Sequence, residues 1–250
     1  MSIVVKNLEF GKGIPKICIP FMPVSLETIE KEWEMIKDLD FDIIEWRMDY
    51  FKEIKNKEAR HKAIQTIHNM IDKPLLSTFR TSLEGGEMDV SIDEYIMINK
   101  DIVESGYTDI IDVEAFMNEK VVHELVLYAH KHHVFVIGSN HDFTITPSYE
   151  EIMKRLSIMK DKQVDIVKIA YMPKNNKDVV SILEATADFK HQYDIPIVSM
   201  AMGKEGMISR VSGEIFGSCM TFGCASNASA PGQIHVSELK SLLEIVHKSM

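Results

Sequence analysis

Short runs of β-branched and other apolar residues alternate along this chain with longer stretches of helical periodicity. The runs lie at Lys16 to Phe21, Ile43 to Met48, Leu75 to Arg80, Asp109 to Glu114, Val134 to Ser139, Ile166 to Ala170, Pro196 to Met202 and Gly217 to Phe222. Continuous apolar runs of this length read as strands buried on both faces. Between them, helical patterns open on capping residues at Ser25, Ser91, Ser148 and Ser237. Strict alternation predicts parallel strands joined by helical crossovers. Eight units of about 31 residues match the period of a (β/α)8 barrel, the TIM barrel of the α/β class. An open doubly wound sheet shares the alternation and stays open as the rival. No Gly/Ser-rich linker, charge block or low-complexity tract divides the chain, so residues 1–250 read as a single barrel domain. The opening stretch VVKNLEFGKG reads as a short β-hairpin that plugs the N-terminal end of the barrel.

The strands end in residues that a buried strand should not carry. Ile43-Ile44 runs into Glu45-Trp46-Arg47, Leu75-Leu76 into Thr78-Phe79-Arg80, Ile110-Ile111 into Asp112-Val113-Glu114, and Val136-Ile137 into Ser139-Asn140-His141-Asp142. Side chains alternate along a strand, so Glu45 shares a face with Arg47, and Asp112 with Glu114. The C-terminal face of an α/β barrel is where active sites are built, and recurrence over several strands points there.

Lys168 lies between apolar neighbours in Ile166-Val167-Lys168-Ile169-Ala170, where an unpaired ammonium is costly. Burial and nearby cations lower a lysine pKa and yield an amine able to attack a ketone. A structural salt bridge to Glu114 or Asp112 is the alternative reading. His141 falls one strand earlier, within reach of that amine, and can shuttle protons; alone it would read as a hydrogen-bonded structural histidine. Glu84, in the loop after the third strand, can orient the imidazole or simply meet solvent. Arg210, after the seventh strand, suits a bidentate carboxylate grip. The small-residue loop Ser226 to Gln233 suits a lid, and Met200 and Met202 read as apolar pocket wall.

Composition narrows the partners. Thirty-eight acidic against 28 basic side chains give a formal charge of −10, a poor balance for binding a phosphate backbone, so no nucleic acid is expected. Four cations, Arg47, Arg80, Lys168 and Arg210, nevertheless fall at the proposed mouth, which predicts a locally cationic pocket on an acidic body. No window is apolar enough for a membrane span and the N-terminus has no signal-peptide core, so a cytoplasmic protein away from membranes is expected. Cys18, Cys219 and Cys224 read as small core residues, with no metal site. Neither a Walker A loop nor a GxGxxG turn is present, which removes support for ATP and dinucleotides.

Nine blocks in order carry a resemblance: Glu45-Trp46-Arg47-Met48-Asp49, Thr78-Phe79-Arg80-Thr81 with Glu84-Gly85-Gly86, Asp112-Val113-Glu114, His141-Asp142-Phe143, Lys168-Ile169-Ala170, Met202-Gly203 with Ser209-Arg210, Phe216-Gly217-Ser218, Thr221-Phe222-Gly223, and Ser229 to Gln233. Over about residues 15 to 240 the chain resembles type I 3-dehydroquinate dehydratase. The resemblance implies a lyase of the shikimate pathway, needing no metal and no cofactor, that removes water from 3-dehydroquinate by syn elimination to give 3-dehydroshikimate. It implies that Lys168 forms a Schiff base, that His141 is the general base and acid, and that Glu84 holds its tautomer. Arg210, Ser229 and Gln233 would bind the substrate carboxylate, and Glu45, Trp46, Arg47 and Arg80 would complete the substrate site. A homodimer is implied as well. Three neighbours depart from the family pattern: Pro20 where many relatives place a hydroxyl residue, Asn140 before His141, and His235 after Gln233. Two rivals remain. A class I aldolase also uses a strand lysine, but its sugar-phosphate substrates need a phosphate cradle near strands seven and eight. A non-catalytic metabolite-binding barrel has no need of a buried amine.

Overall fold

The computed structural model of the protein describes residues 2–225 and 232–250. An antiparallel hairpin, β1 (Ile3–Val5) and β2 (Leu8–Phe10), precedes a parallel sheet. The sheet strands are β3 (Lys16–Phe21), β4 (Ile43–Arg47), β5 (Leu75–Thr78), β6 (Ile110–Glu114), β7 (Phe135–Asp142), β8 (Ile166–Tyr171), β9 (Ile197–Ala201), β10 (Met220–Cys224) and the two-residue β11 (Ile234–His235). Their order is β11-β10-β3-β4-β5-β6-β7-β8-β9. Eight of them curl into the expected barrel, and β11 is an addition on the edge of β10, with Gly223 opposite Ile234.

Closure between β9 and β10 is narrow. One parallel bridge joins Ile197 to Ser218, and the Cys219 N–H donates to the Ile197 carbonyl at 2.8 Å. Beyond it, side-chain oxygens take the place of a ladder: the Ser199 N–H donates to Ser218 Oγ and the Ala201 N–H to Ser209 Oγ, each at 3.0 Å. The backbone donors of β9 are therefore satisfied without a full ladder to β10.

The crossovers are α1 (Leu26–Ile36), α2 (Lys57–Met70), α3 (Ile92–Glu104), α4 (Glu119–Lys131), α5 (Tyr149–Asp161) and α6 (Asn176–Gln192), followed by the short α7 (Ile208–Val211) and α8 (Gly213–Phe216) and the terminal α9 (Val236–Lys248). Three of these, α2, α4 and α6, open on asparagine. Asn56, Asn118 and Asn175 accept from first-turn N–H groups as Ser91 and Ser148 do for α3 and α5. Strand limits shift for local reasons. β4 and β5 stop at Arg47 and Thr78, because Met48–Tyr50 and Ser82–Glu84 each wind into a turn of 3₁₀ helix. β10 begins at Met220 rather than Gly217, since Gly217 ends α8 with φ of 102°. β7 runs on to Asp142, which brings His141 into register with Ala170 of β8.

The sheet separates two apolar layers. Outside it, alternate strand residues such as Ile44, Ile111, Val136 and Ile169 pack on the buried helix faces. Inside, Cys18, Ile43, Leu76, Ile110, Ile137, Ile166, Val198 and Met220 fill the lower barrel. Val5 and Phe10 of the hairpin join that inner cluster, so the hairpin does plug the N-terminal end. Phe10 is fully buried.

An aspartate one residue ahead of alternate strands ties each pair at this end. Asp42 accepts from the Ile17 N–H at 2.7 Å, Asp109 from Leu75 at 2.8 Å and Asp165 from Val136 at 2.7 Å. The barrel thus repeats in pairs of strands at its base. Asp42→Ala leaves the Ile17 amide without its acceptor and is expected to cost about 1–3 kcal/mol. Asp42→Asn, which keeps an acceptor oxygen, should recover much of that loss in urea unfolding; equal stability of all three proteins would refute the pinning role.

Candidate active site

Two residues above the apolar floor, the inward positions of successive strands change character. Glu45, Thr78, Asp112, Ser139 and Lys168 form one polar tier, and Arg47, Arg80, Glu114 and His141 stand above it. The alternation that places Ile43 inward on β4 places Glu45 and Arg47 inward too. Of these, Glu45, Arg47, Thr78, Arg80, Lys168 and His141, together with Glu84, Phe143, Met200, Met202, Phe222 and Gln233, line a pocket at the barrel mouth.

Asp112 anchors the tier. Its Oδ2 accepts from Lys168 Nζ at 3.1 Å, and its Oδ1 from Arg80 Nη2 at 2.6 Å and Ser139 Oγ at 2.5 Å. Burial opposes its charge, but Arg80 and then Lys168 outweigh that cost and hold the carboxyl well below its usual range. Lys168 also lies 3.8 Å from Glu45 Oε1 and 4.6 Å from the centroid of the Phe222 ring. Lys168 is salt-bridged to Asp112, the structural alternative, and it also lines the pocket.

The strand-end turn that follows β5 carries Glu84. Glu114 receives the Thr81 N–H at 2.7 Å and the Thr81 hydroxyl at 2.8 Å. Gly85 adopts φ of 84°, where its missing side chain leaves room for the Phe143 ring. A Cβ on Gly86 would lie 1.9 Å from the Arg80 carbonyl oxygen, so the turn closes only with glycine there.

So held, Glu84 Oε2 accepts from the His141 backbone N–H at 3.0 Å and from its Nδ1 at 2.9 Å. Oε1 accepts from Asn140 Nδ2 at 3.1 Å. With its proton on Nδ1, the ring turns the Nε2 lone pair to its surroundings as a base. Burial, then the cations Arg80 and Lys168, push the imidazole pKa well below the ordinary value. Burial pushes the Glu84 carboxyl up to about 8, with Arg80 and Asn140 acting against it.

Two expectations need correction. Trp46 is fully buried and faces away from the mouth, between Glu45 and Arg47 on the opposite side of β4; its ring packs edge-on against Phe51 at 6.0 Å in the helix-side layer. The pocket is also not a bare cationic patch. Arg47 forks onto Asp49 through Nε and Nη2 at 2.9 and 2.8 Å. Arg80 Nη1 reaches Glu114 at 3.2 Å, Ser139 Oγ at 3.1 Å and Glu84 at 3.4 Å. Each of these guanidinium groups lines the pocket while already bonded to protein carboxylates.

Arg210 sits on α7 behind the pocket wall and donates to the Phe222 carbonyl at 3.3 Å. Burial draws its pKa down to about 10. Gln233 reaches the pocket through a close crossing: a Cβ on Gly232 would lie 2.3 Å from the Gly203 carbonyl oxygen. Ser229, and the lid reading of residues 226–231, lie outside the described residues. Met200 and Met202 form pocket wall, as their pattern suggested. Sequence reasoning gave no site role to Phe222, Phe143 or Asn140; for Phe222, the inward step of two from Met220 was the available signal. Among the described residues there is no cluster of His, Cys, Asp and Glu fit to hold a metal ion.

The family model for type I 3-dehydroquinase matches residues 17–250. A 3-dehydroquinate dehydratase of Clostridioides difficile is 48% identical over all of this chain and 98% of its own. That of Listeria welshimeri is 44% identical over 99% of this chain and 98% of its own. A crystal structure of the type I enzyme from Clostridium difficile with covalent modified comenic acid superposes with a TM-score of 0.97 at 47% identity, covering 100% of this chain and 99% of that one.

The imidazole provides a direct check. Because burial and two cations disfavour imidazolium, the ¹⁵N signals of His141 should keep the neutral, Nδ1-protonated pattern as pH falls through about 6.5, where an unperturbed histidine titrates. The unfolded chain takes that proton first, so this group costs stability as pH drops below about 6.5. A normal or raised midpoint would refute the assignment.

Proposed function

We infer the chemistry from a plain premise, that this chain belongs to the type I 3-dehydroquinase family. It is a 3-dehydroquinate dehydratase, a hydro-lyase working through a Schiff base. The assignment of roles to its residues is our reading, and the observation that carries it is the placement of an amine, Lys168, and an imidazole held by Glu84, His141, on the wall of one pocket.

Lys168, as the free amine, adds to the ring ketone. Loss of water from the carbinolamine leaves a protonated imine, which draws electron density from the neighbouring carbon. His141 Nε2 takes the α-proton there, and the electron pair is held as an enamine. The imidazolium then returns that proton to the departing hydroxyl, which leaves as water while the enamine electrons form the ring double bond. Hydrolysis of the imine frees 3-dehydroshikimate and restores Lys168. Glu84 faces Nδ1–H throughout and stabilises the transient imidazolium. Asp112 and Glu45 receive the lysine whenever it is protonated. The Phe222 face beside the amine favours the cationic imine in the same way that it favours ammonium.

Arg210 would grip the substrate carboxylate, with Gln233 and Ser229 beside it. Burial has stripped that guanidinium of hydration, so an anion brought next to it gains more than it would in water. Glu45, Arg47 and Arg80 would meet the ring hydroxyls, Arg47 through the Nη1 left over from its fork. We read the chain as one catalytic domain, acting as a homodimer in the cytoplasm without cofactor or metal. No helix among the described residues is long and apolar enough to cross a membrane.

Borohydride added during turnover of 3-dehydroquinate should reduce the imine and fix the ligand on the peptide containing IVKIAY, seen as a mass shift. Active protein with an unmodified Lys168 would sink the imine. The appearance of enone absorbance in the same mixture separates dehydration from aldol cleavage and from silent binding. Arg210→Ala should raise KM by about tenfold or more with a smaller change in kcat, as loss of one charge-assisted contact implies. An unchanged KM would remove Arg210 from the carboxylate.

A further inference from the structure

Asn140 stands between the catalytic pair and the helix layer. It is buried, with Nδ2 on Glu84 Oε1 at 3.1 Å. Its Oδ1 accepts from Arg155 Nη1 of α5 at 3.0 Å and from the Tyr171 hydroxyl at the end of β8 at 2.9 Å. Arg155 is itself fixed, by Glu151 one turn earlier at 2.9 Å and by the faces of Phe116 and Tyr171, each 5.9 Å from its guanidinium carbon. A chain of three hydrogen bonds therefore runs from a partly exposed arginine through Asn140 and Glu84 to the His141 ring.

The two ends of a side-chain amide have nearly the same shape, and only their partners decide which faces where. A guanidinium can only donate, so the Asn140 oxygen must face Arg155, and the Tyr171 hydroxyl adds a second donor there. The NH2 end is then forced toward Glu84. Both Glu84 oxygens consequently meet N–H donors, Oε1 from Asn140 and Oε2 from His141, an arrangement that favours the carboxylate and works against the burial that lifts its pKa.

We propose that Asn140 and Arg155 are positioning residues for the proton shuttle: Arg155 locks the Asn140 amide so that Glu84 stays aligned on Nδ1 of His141. The assignment rests on the reaction proposed above. The other charged or titratable groups facing Glu84 are Arg80 at the end of β5, Asp112 and Glu114 from β6, His141 from β7 and Tyr171 from β8. Arg80 favours the carboxylate and the two acids oppose it. Burial opposes it further, so loss of the Asn140 donor moves Glu84 toward the acid.

The test compares Arg155→Met, Arg155→Lys and Asn140→Ala with the parent, using carboxyl ¹³C shifts of labelled glutamate beside the pH profile of kcat. In Arg155→Met the amide is free to reverse. The Glu84 midpoint and the acid limb of kcat should both rise by about half a pH unit or more, the scale of one lost hydrogen bond to a carboxylate. At pH 7 kcat should fall about tenfold, within the roughly hundredfold that a misplacement of about 1 Å costs. KM should stay within about twofold, the expected split when binding contacts are untouched. Arg155→Lys keeps a donor and should return both midpoints toward the parent, which a merely structural role would not produce. An unmoved Glu84 midpoint in both Arg155→Met and Asn140→Ala overturns the proposal whatever their activity. A parent protein inactive on 3-dehydroquinate that still shows the Glu84 shifts would overturn the reaction and leave the positioning role standing.

Discussion

Everything at the barrel mouth depends on one buried carboxylate. Asp112 has no exposed surface, yet it faces Lys168 on one oxygen and Arg80 and Ser139 on the other. An ion in that position survives only because cations on both sides repay its desolvation, and those cations are tolerated there because of it. Arg80 carries the constraint outward to Glu114, which clamps Thr81 and so sets the turn that presents Glu84. Lysine, base and orienting acid are parts of a single electrostatic arrangement.

The same guanidinium acts on both halves of the proton shuttle in one sense, against a proton on either. Arg80 discourages a proton on His141, and on Glu84 it offsets only part of the burial that lifts the carboxyl to about 8. Burial acts on the two protons in opposite directions, raising the Glu84 carboxyl and lowering the His141 imidazole, and for the imidazole Arg80 adds to burial, which keeps the ring a neutral base.

The strand alternation and the i, i+2 spacing of polar residues at strand ends made the barrel and most of its mouth legible in the sequence. Lys168, His141, Glu84, Glu45, Arg47, Arg80 and Gln233 do meet in one pocket. Trp46 shows the limit of reading by neighbourhood, since a residue between two inward side chains must point outward. Helices α2, α4 and α6 went unmarked because their caps are asparagines, whose preference for turns and caps alike makes them ambiguous without a fold. The pairing of Arg80 with Asp112 and Glu114 was hidden because those acids come from another strand, 32 and 34 residues away in sequence. Net charge could not show that the pocket's cations are already balanced. Arg155 was invisible because nothing in a surface helix pattern says that one of its residues bonds back through the sheet.

The hairpin at the foot of the barrel bears on the traffic of water. Val5 and Phe10 complete an apolar floor of Ile, Leu, Val, Met and Cys side chains below Lys168. Imine formation and elimination each release a water molecule, and imine hydrolysis consumes one. With a greasy stopper beneath the amine, the described residues offer these molecules the same upward route that substrate and product use. Each turnover must therefore clear and refill one shared doorway, and how tightly that doorway can be sealed is bounded by the water the chemistry itself needs to exchange.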